Sequence, residues 1–257
     1  MLRLIDIDKT FNKGTVNEAK LFEGFSLTVK SGEFLSVVGS NGSGKTTMLN
    51  IIGGSCPIDS GKVELDGTDI TKMPEYRRAR RIGRVFQNPA QGTVPSMTVA
   101  ENLAVAKLKG KHCGLTAAIG RAERENLRTL AASLGLGLED RMNVPVGLLS
   151  GGQRQALTLL MCTLTPIDLL LLDEHTAALD PKTAEQIMEL TDRIVCEKKL
   201  TAIMVTHNLR YAVEYGNRMI MMHSGGTVLD VSDDEKKKTG VDDILGLFNS
   251  ISIECGN

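Results

Sequence analysis

The stretch Gly39-Ser40-Asn41-Gly42-Ser43-Gly44-Lys45-Thr46 limits what this chain can fold into more than any other. It satisfies the pattern glycine, four residues, glycine, lysine, then serine or threonine, which functions only where a strand ends and a helix begins. Both neighbours are present. Phe34-Leu35-Ser36-Val37-Val38 reads as a short buried strand, and Thr47-Met48-Leu49-Asn50-Ile51-Ile52 as a helix. In such a loop the glycines let backbone N–H groups converge on a β-phosphate with no Cβ in the way. Lys45 can reach the β- and γ-phosphates, and Thr46 can offer its hydroxyl to Mg²⁺. The stretch is a triphosphate cradle.

The rest of the pattern builds an α/β fold around that cradle. Residues 2–8 and 24–29 both alternate with period two, joined by the polar segment Asn12 to Lys20, which predicts antiparallel pairing. Gly61 to Gly67 adds a strand between glycine turns, so a small β-layer should flank the nucleotide core. Pro74 to Arg81 reads as a short basic helix and Arg81 to Phe86 as a strand ending at Gln87-Asn88-Pro89. From about residue 90 to 162 the β signal disappears, and Leu127, Leu130, Ala131 and Leu134 carry the spacing of an amphipathic helix after Arg121 to Glu125. Beyond it Leu169–Leu172, Ala202–Val205 and Met219–Met222 are continuous apolar runs separated by helical stretches over Pro181 to Glu197 and Leu209 to Glu214. Such runs suit a parallel sheet covered on both faces.

The predicted architecture is a phosphate-loop (RecA-like) core with a mainly parallel sheet, an antiparallel β subdomain and an inserted α-helical subdomain. Residues 1–230 form one domain: 1–89 and 163–230 the nucleotide-binding core with its β subdomain, and 90–162 the helical insertion. Residues 231–257 form a tail that opens with a charged turn, Asp233 to Lys238, and closes with an amphipathic helix around Val241 to Phe248.

Net charge is −1, from 30 Lys+Arg against 31 Asp+Glu, so there is no general attraction to nucleic acid or anionic lipid. Arg77, Arg78, Arg80, Arg81 and Arg84 cluster, but without interleaved aromatics they read as a solvated helix face rather than a nucleic-acid patch. The 5 cysteines fall in no metal-like spacing and fit reduced thiols in a cytosol. The first residues lack the apolar core of a signal peptide, which predicts a chain that is not secreted. The longest apolar region, Ala156 to Leu172, is broken by Pro166 and Asp168, too short to cross a bilayer. His112-Cys113 reads as loop.

Hydrolysis of a triphosphate needs metal anchoring, an oriented water and charge stabilisation on the γ-phosphoryl group. Leu169 to Leu172 is a buried strand that ends in Asp173 and Glu174 at a sheet's C-terminal edge, where open α/β sheets bind ligands. Asp173 can hold Mg²⁺, directly or through water, and Glu174 can act on the attacking water as general base. Further back, Ser150, Gly151 and Gly152 precede the helical run Gln153 to Cys162, so oriented N–H groups and a positive dipole end face an anion.

Leu148-Leu149-Ser150-Gly151-Gly152-Gln153-Arg154-Gln155 resembles the signature motif of ATP-binding cassette (ABC) ATPases. The resemblance extends along the whole chain and implies the ATPase subunit of a bacterial transporter of the importer type. ATP would be held by Phe11, similar to the adenine-stacking aromatic, and by Gly39, Ser40, Asn41, Gly42, Ser43, Gly44, Lys45, Thr46 and Thr47. The signature residues Ser150, Gly151, Gly152 and Gln153 would act on the ATP of a second subunit. Gln87 resembles the glutamine that touches Mg²⁺ or the attacking water, and Asp180 the aspartate of the loop that crosses the dimer interface. His207 resembles the switch histidine at the γ-phosphate, although a histidine at a strand end, taken alone, is more often structural. The implied catalytic set is Glu174, His207, Gln87 and Lys45, with Thr46, Gln87 and Asp173 at the metal.

The implied partners are a second copy of the chain, a separate transmembrane permease and an extracytoplasmic substrate-binding protein, with no nucleic acid. The implied place is peripheral, on the cytoplasmic side of the plasma membrane. The segments Glu174 to Ala184 and Thr206 to Ala212 further resemble an importer subgroup with lipoprotein-type binding proteins, some members of which handle aromatic amino acids. The alternative is a soluble ABC ATPase outside transport, such as an iron–sulfur cluster assembly factor. Two positions depart from the family pattern. His175 stands where proline is usual after the glutamate, either to tune Glu174 or, the favoured reading, to shape the loop, and Phe11 replaces the commoner tyrosine.

Overall fold

A computed structural model describes residues 1–110 and 120–254, so His112-Cys113 lies outside the described residues. The chain forms two compact units, Met1–Ala79 with Lys198–Asn257, and Arg80–Glu197.

The first unit begins with β1 (Leu2–Phe11), β2 (Ala19–Val29), β3 (Phe34–Gly39), α1 (Lys45–Gly53), β4 (Ser60–Leu65), β5 (Thr68–Asp69) and α2 (Glu75–Arg78). The second contains β6 (Ile82–Val85), α3 (Val99–Lys107), α4 (Arg121–Ala132), α5 (Gly151–Thr163), β7 (Leu169–Asp173) and α6 (Pro181–Lys198). The chain then returns to the first unit as β8 (Thr201–Val205), α7 (Leu209–Glu214), β9 (Arg218–His223), β10 (Gly226–Ser232), α8 (Asp233–Lys238) and α9 (Val241–Glu254).

The first unit has two sheets. One is antiparallel, in the order β2-β1-β4-β5, with Leu2 opposite Val29 and Leu4 opposite Leu27. Leu2, Leu4 and Ile7 are buried on one face of β1, as its alternation requires. In the other sheet β3 lies between β8 and β9, parallel to both, with Val37 opposite Val205 and Ile220, and β10 runs antiparallel to β9. All residues of β3 and β8 are buried, the signature of strands covered on both faces. Contacts between the sheets are close: Arg218 Nη1 in β9 donates to Thr28 O in β2 at 2.7 Å.

The second unit pairs β6 with β7 in parallel, Val85 opposite Leu172, and is otherwise helical among the described residues. Capping boxes start two of its helices: Thr98 with Glu101 opens α3, and Ser150 with Gln153 opens α5. In α4, Leu127 and Ala131 are buried as expected, and so is Leu134 just past the helix end, but Leu130 is 40% exposed. The buried stripe of α4 is therefore narrower than its spacing suggested.

Two further readings are corrected. The basic helix is only Glu75–Arg78, and while Arg77 and Arg80 are exposed as a solvated face requires, Arg78 is 4% exposed and donates to the carbonyls of Ile51, Ile52, Thr71 and Met73. A guanidinium there satisfies carbonyls in the last turn of α1 that lack helical partners. Arg84 lies in strand β6, inside the strand expected over Arg81 to Phe86. Finally, Asp233 to Lys238 forms α8 rather than a turn, acidic in its first turn and basic in its last. Its Lys236 is buried and donates to the carbonyls of Tyr215 and Gly216, and α9 sets Ile244 against Val38, Met219 and Met221.

Candidate nucleotide site

In the first unit the phosphate loop leaves β3 and enters α1 with Gly39, Gly42 and Gly44 at φ 153°, 78° and 104°. Those values lie where residues with a Cβ are rarely found. Gly39 is also sterically fixed, since a Cβ there would lie 2.2 Å from Met222 O. The α1 N-terminus has no side-chain cap, which leaves the N–H groups of its first turn for a ligand. Lys45 is 5% exposed, and its Nζ donates to Gly39 O at 2.7 Å and Ser40 O at 2.8 Å. The ammonium thus folds over the loop's own carbonyls. Ser43 Oγ is buried without a hydrogen-bond partner, a donor in the loop that protein does not satisfy.

The turn between β9 and β10 supports this loop. Gly225 N–H donates to Ser43 O at 3.2 Å, His223 Nδ1 lies 3.3 Å from Ser40 Oγ, and the Phe22 ring closes against Gly44. Sequence reasoning missed all three, because each depends on tertiary approach rather than on a local pattern. His207 follows β8, at the strand end beside the one that feeds the phosphate loop. Its turn is fixed on both sides: Thr206 N–H donates to Val37 O at 3.2 Å, and Asn208 caps α7. Phe11 ends β1, is 37% exposed, and has Lys9 Nζ 5.1 Å from its ring centroid.

In the second unit Gln87 lies just past the end of β6, and Asp173 ends the adjacent strand β7. Asp173 is 7% exposed and accepts from Arg84 Nη2 at 2.9 Å. Glu174 takes a left-handed φ of 46°, which turns the chain sharply out of the strand. His175 is buried and bonded to Thr191 Oγ1 at 3.1 Å, and burial pushes its imidazole down to about 4. It is a neutral anchor from the loop to α6, in line with a loop-shaping role.

The signature residues open α5. Ser150 Oγ accepts from Gln153 N–H at 3.2 Å, and Gln153 Oε1 accepts from Ser150 N–H at 3.3 Å. Gly152 lies against α6, where a Cβ would stand 2.2 Å from Thr183 Cγ2. Asp180 accepts from Thr183 N–H, and hydrogen bonds from the Thr183 hydroxyl and N–H hold its carboxyl below the usual carboxylate range. The expected residues therefore fall into two groups, the phosphate loop with His207 in one unit, and Gln87, Asp173, Glu174, Asp180 and the signature in the other.

The ABC transporter family model matches residues 22–177, which covers the phosphate loop, the signature and the paired carboxylates. The chain belongs to the ABC transporter family. This cassette is 48% identical over 248 residues to the tyrosine transport ATP-binding protein of Clostridioides difficile, covering 96% of this chain and 98% of that protein. It is 35% identical to the phosphonates import ATP-binding protein PhnC of Alcaligenes faecalis, over 90% of this chain and 82% of that one. Its fold matches the dimeric post-hydrolysis state of the ATP-binding cassette MJ0796 bound to ADP and Pi, with a TM-score of 0.77 and 30% identity over 90% and 98% of the two chains. The cassette is an ATPase that hydrolyses ATP for transport, and the α/β fold expected of it is the one observed. No helix among the described residues is long and apolar enough to cross a membrane.

Proposed function

We propose that this cassette powers an importer for an aromatic amino acid, with tyrosine as the leading substrate. The observation that carries the reading is the near full-length similarity to the tyrosine transport ATP-binding protein. The cassette would work as a head-to-tail homodimer on the cytoplasmic face of the membrane, bound to a separate permease and served by an extracytoplasmic binding protein. The substrate is tested by uptake of labelled tyrosine in cells with and without the gene. Loss of saturable uptake supports the assignment, and unchanged uptake overturns it.

In the catalytic cycle the first-turn N–H groups of α1 and the Lys45 ammonium would bind the β- and γ-phosphates, and Phe11 would stack on adenine. To do so Lys45 exchanges the carbonyls of Gly39 and Ser40 for phosphate oxygens, and Ser43 Oγ gains a partner. The Thr46 hydroxyl, the Asp173 carboxylate and the Gln87 side chain are hard oxygen donors of the kind Mg²⁺ prefers, and would be its protein ligands. Bound there, Mg²⁺ would neutralise charge on the β- and γ-oxygens. Glu174 takes the proton of the attacking water as its oxygen bonds to the γ-phosphorus and the bond to ADP breaks, while His207 contacts the γ-phosphate. Ser150 and the N–H groups of Gly151 and Gly152 reach the γ-phosphate held by the partner subunit, and Asp180 lies at that interface.

The assignment of the base has a direct test. Glu174→Gln retains ATP, accumulates as a closed dimer in size-exclusion chromatography, and loses turnover by about 100-fold or more. Normal hydrolysis by that variant overturns it.

A further inference from the structure

Arg84 is the residue of the basic cluster that the fold does not explain. In the parallel pairing of β6 with β7 it lies opposite Leu171, so its side chain shares a face with Asp173, two residues further along β7. Its Nη2 reaches Asp173 Oδ2 at 2.9 Å, with the two side chains 13% and 11% exposed. The guanidinium carbon lies 4.7 Å from the centroid of the Phe86 ring, next to Gln87. Its backbone is pinned as well, since Arg84 O accepts from the Cys162 thiol of α5 at 3.1 Å.

A nearly buried carboxylate needs a countercharge, and Arg84 supplies it. Yet the pair is built loosely for a purely structural one. The contact is one-point, through Oδ2, where an arginine–carboxylate pair commonly forms the two-point fork. Arg84 Nε is buried without a partner, a cost that an optimised ion pair would have removed. The same carboxylate is the one assigned above to the metal, so two cations have a claim on it and their like charges oppose each other.

We propose that Arg84 is a positioning residue for Asp173, which holds the carboxylate oriented and competes with magnesium for it, so that it sets the magnesium concentration the cassette requires. The inference rests on the assignment of Asp173 to the metal.

The test is equilibrium binding of a fluorescent, non-hydrolysable ATP analogue, titrated with Mg²⁺ at fixed nucleotide. Arg84→Met lowers the half-saturating Mg²⁺ at least fivefold, and Arg84→Lys, which keeps the charge, stays within threefold of the unaltered chain. An unchanged or raised half-saturation in Arg84→Met overturns the inference. Should that variant not fold, Arg84→Gln takes its place with the same expectation. Asp173→Asn separates the two layers: if it titrates like the unaltered chain, the metal assignment falls, and if it loses its magnesium dependence while Arg84→Met does not shift, only the role of Arg84 falls. Thermal denaturation in EDTA gives a second readout. Arg84→Met melts several degrees lower, and Arg84→Met with Asp173→Asn regains at least half of that loss; a double variant that falls by the sum of both losses shows no coupling and overturns the pair.

Discussion

The phosphate loop and the signature are both glycine-bearing turns that open a helix, and they use their glycines in opposite ways. In the phosphate loop the glycines are required by backbone conformation, with positive φ at Gly39, Gly42 and Gly44, and α1 begins with no side-chain cap. The signature glycines have no positive φ, Gly152 is required by the approach of Thr183, and α5 carries a complete capping box. The first turn is unfinished as protein chemistry and is completed by an anion. The second is finished without one, so what it offers a ligand is limited to the Ser150 hydroxyl and the N–H groups its cap does not use.

The largest effect that can break this comparison is expected at Gly39. Gly39→Ala drives a Cβ into Met222 O, a backbone atom that cannot step aside, and should cost about 3 kcal/mol of stability and abolish binding of fluorescent ATP. Full retention of binding would show the loop to be more plastic than its geometry implies. Gly152→Ala meets only a methyl group, so its cost should be about 2 kcal/mol, and Thr183→Ser, which removes that methyl, should restore most of it in urea denaturation. No rescue would mean that Gly152 serves the ligand rather than the packing.

The third prediction concerns the loop that follows Glu174. His175 is held neutral in the fold with its value pushed down to about 4, while in the unfolded chain it protonates near 6.5. The unfolded state therefore binds more protons between those values, and stability falls as pH drops through that window, by about 2 kcal/mol at pH 5, with no further loss from this group below about 4. Melting of the nucleotide-free chain across that range checks it, and His175→Gln should flatten the dependence. The smallest effect is at the cap: Ser150→Ala should cost about 1 kcal/mol in stability, read by thermal melting, while its larger effect falls on ATP turnover.

Much of this molecule was legible in its sequence because its strongest signals are local. The phosphate loop, the apolar runs of β3, β7, β8 and β9, and α7 over Leu209–Glu214 all fall where period and turn chemistry put them. What was not legible depends on approach between distant segments. Charge alone could not tell that Arg78 caps the carbonyls of α1 or that Arg84 faces Asp173, because an arginine on a surface helix and one buried against a carboxylate look alike in a basic cluster. Leu130 went the other way, matching the helical period but facing water, since the stripe that α4 buries is narrower than its apolar residues allow. His175 was open between two roles until Thr191 was seen beside it.

The turn between β9 and β10 has a mechanical consequence. It presses on the phosphate loop through Gly225 and His223, while Phe22 of β2 meets Gly44 and Arg218 of β9 grips the backbone of β2 at Thr28. Strands from both sheets of the first unit thus brace one loop. A shift of the phosphate loop would therefore have to carry both sheets of the first unit with it.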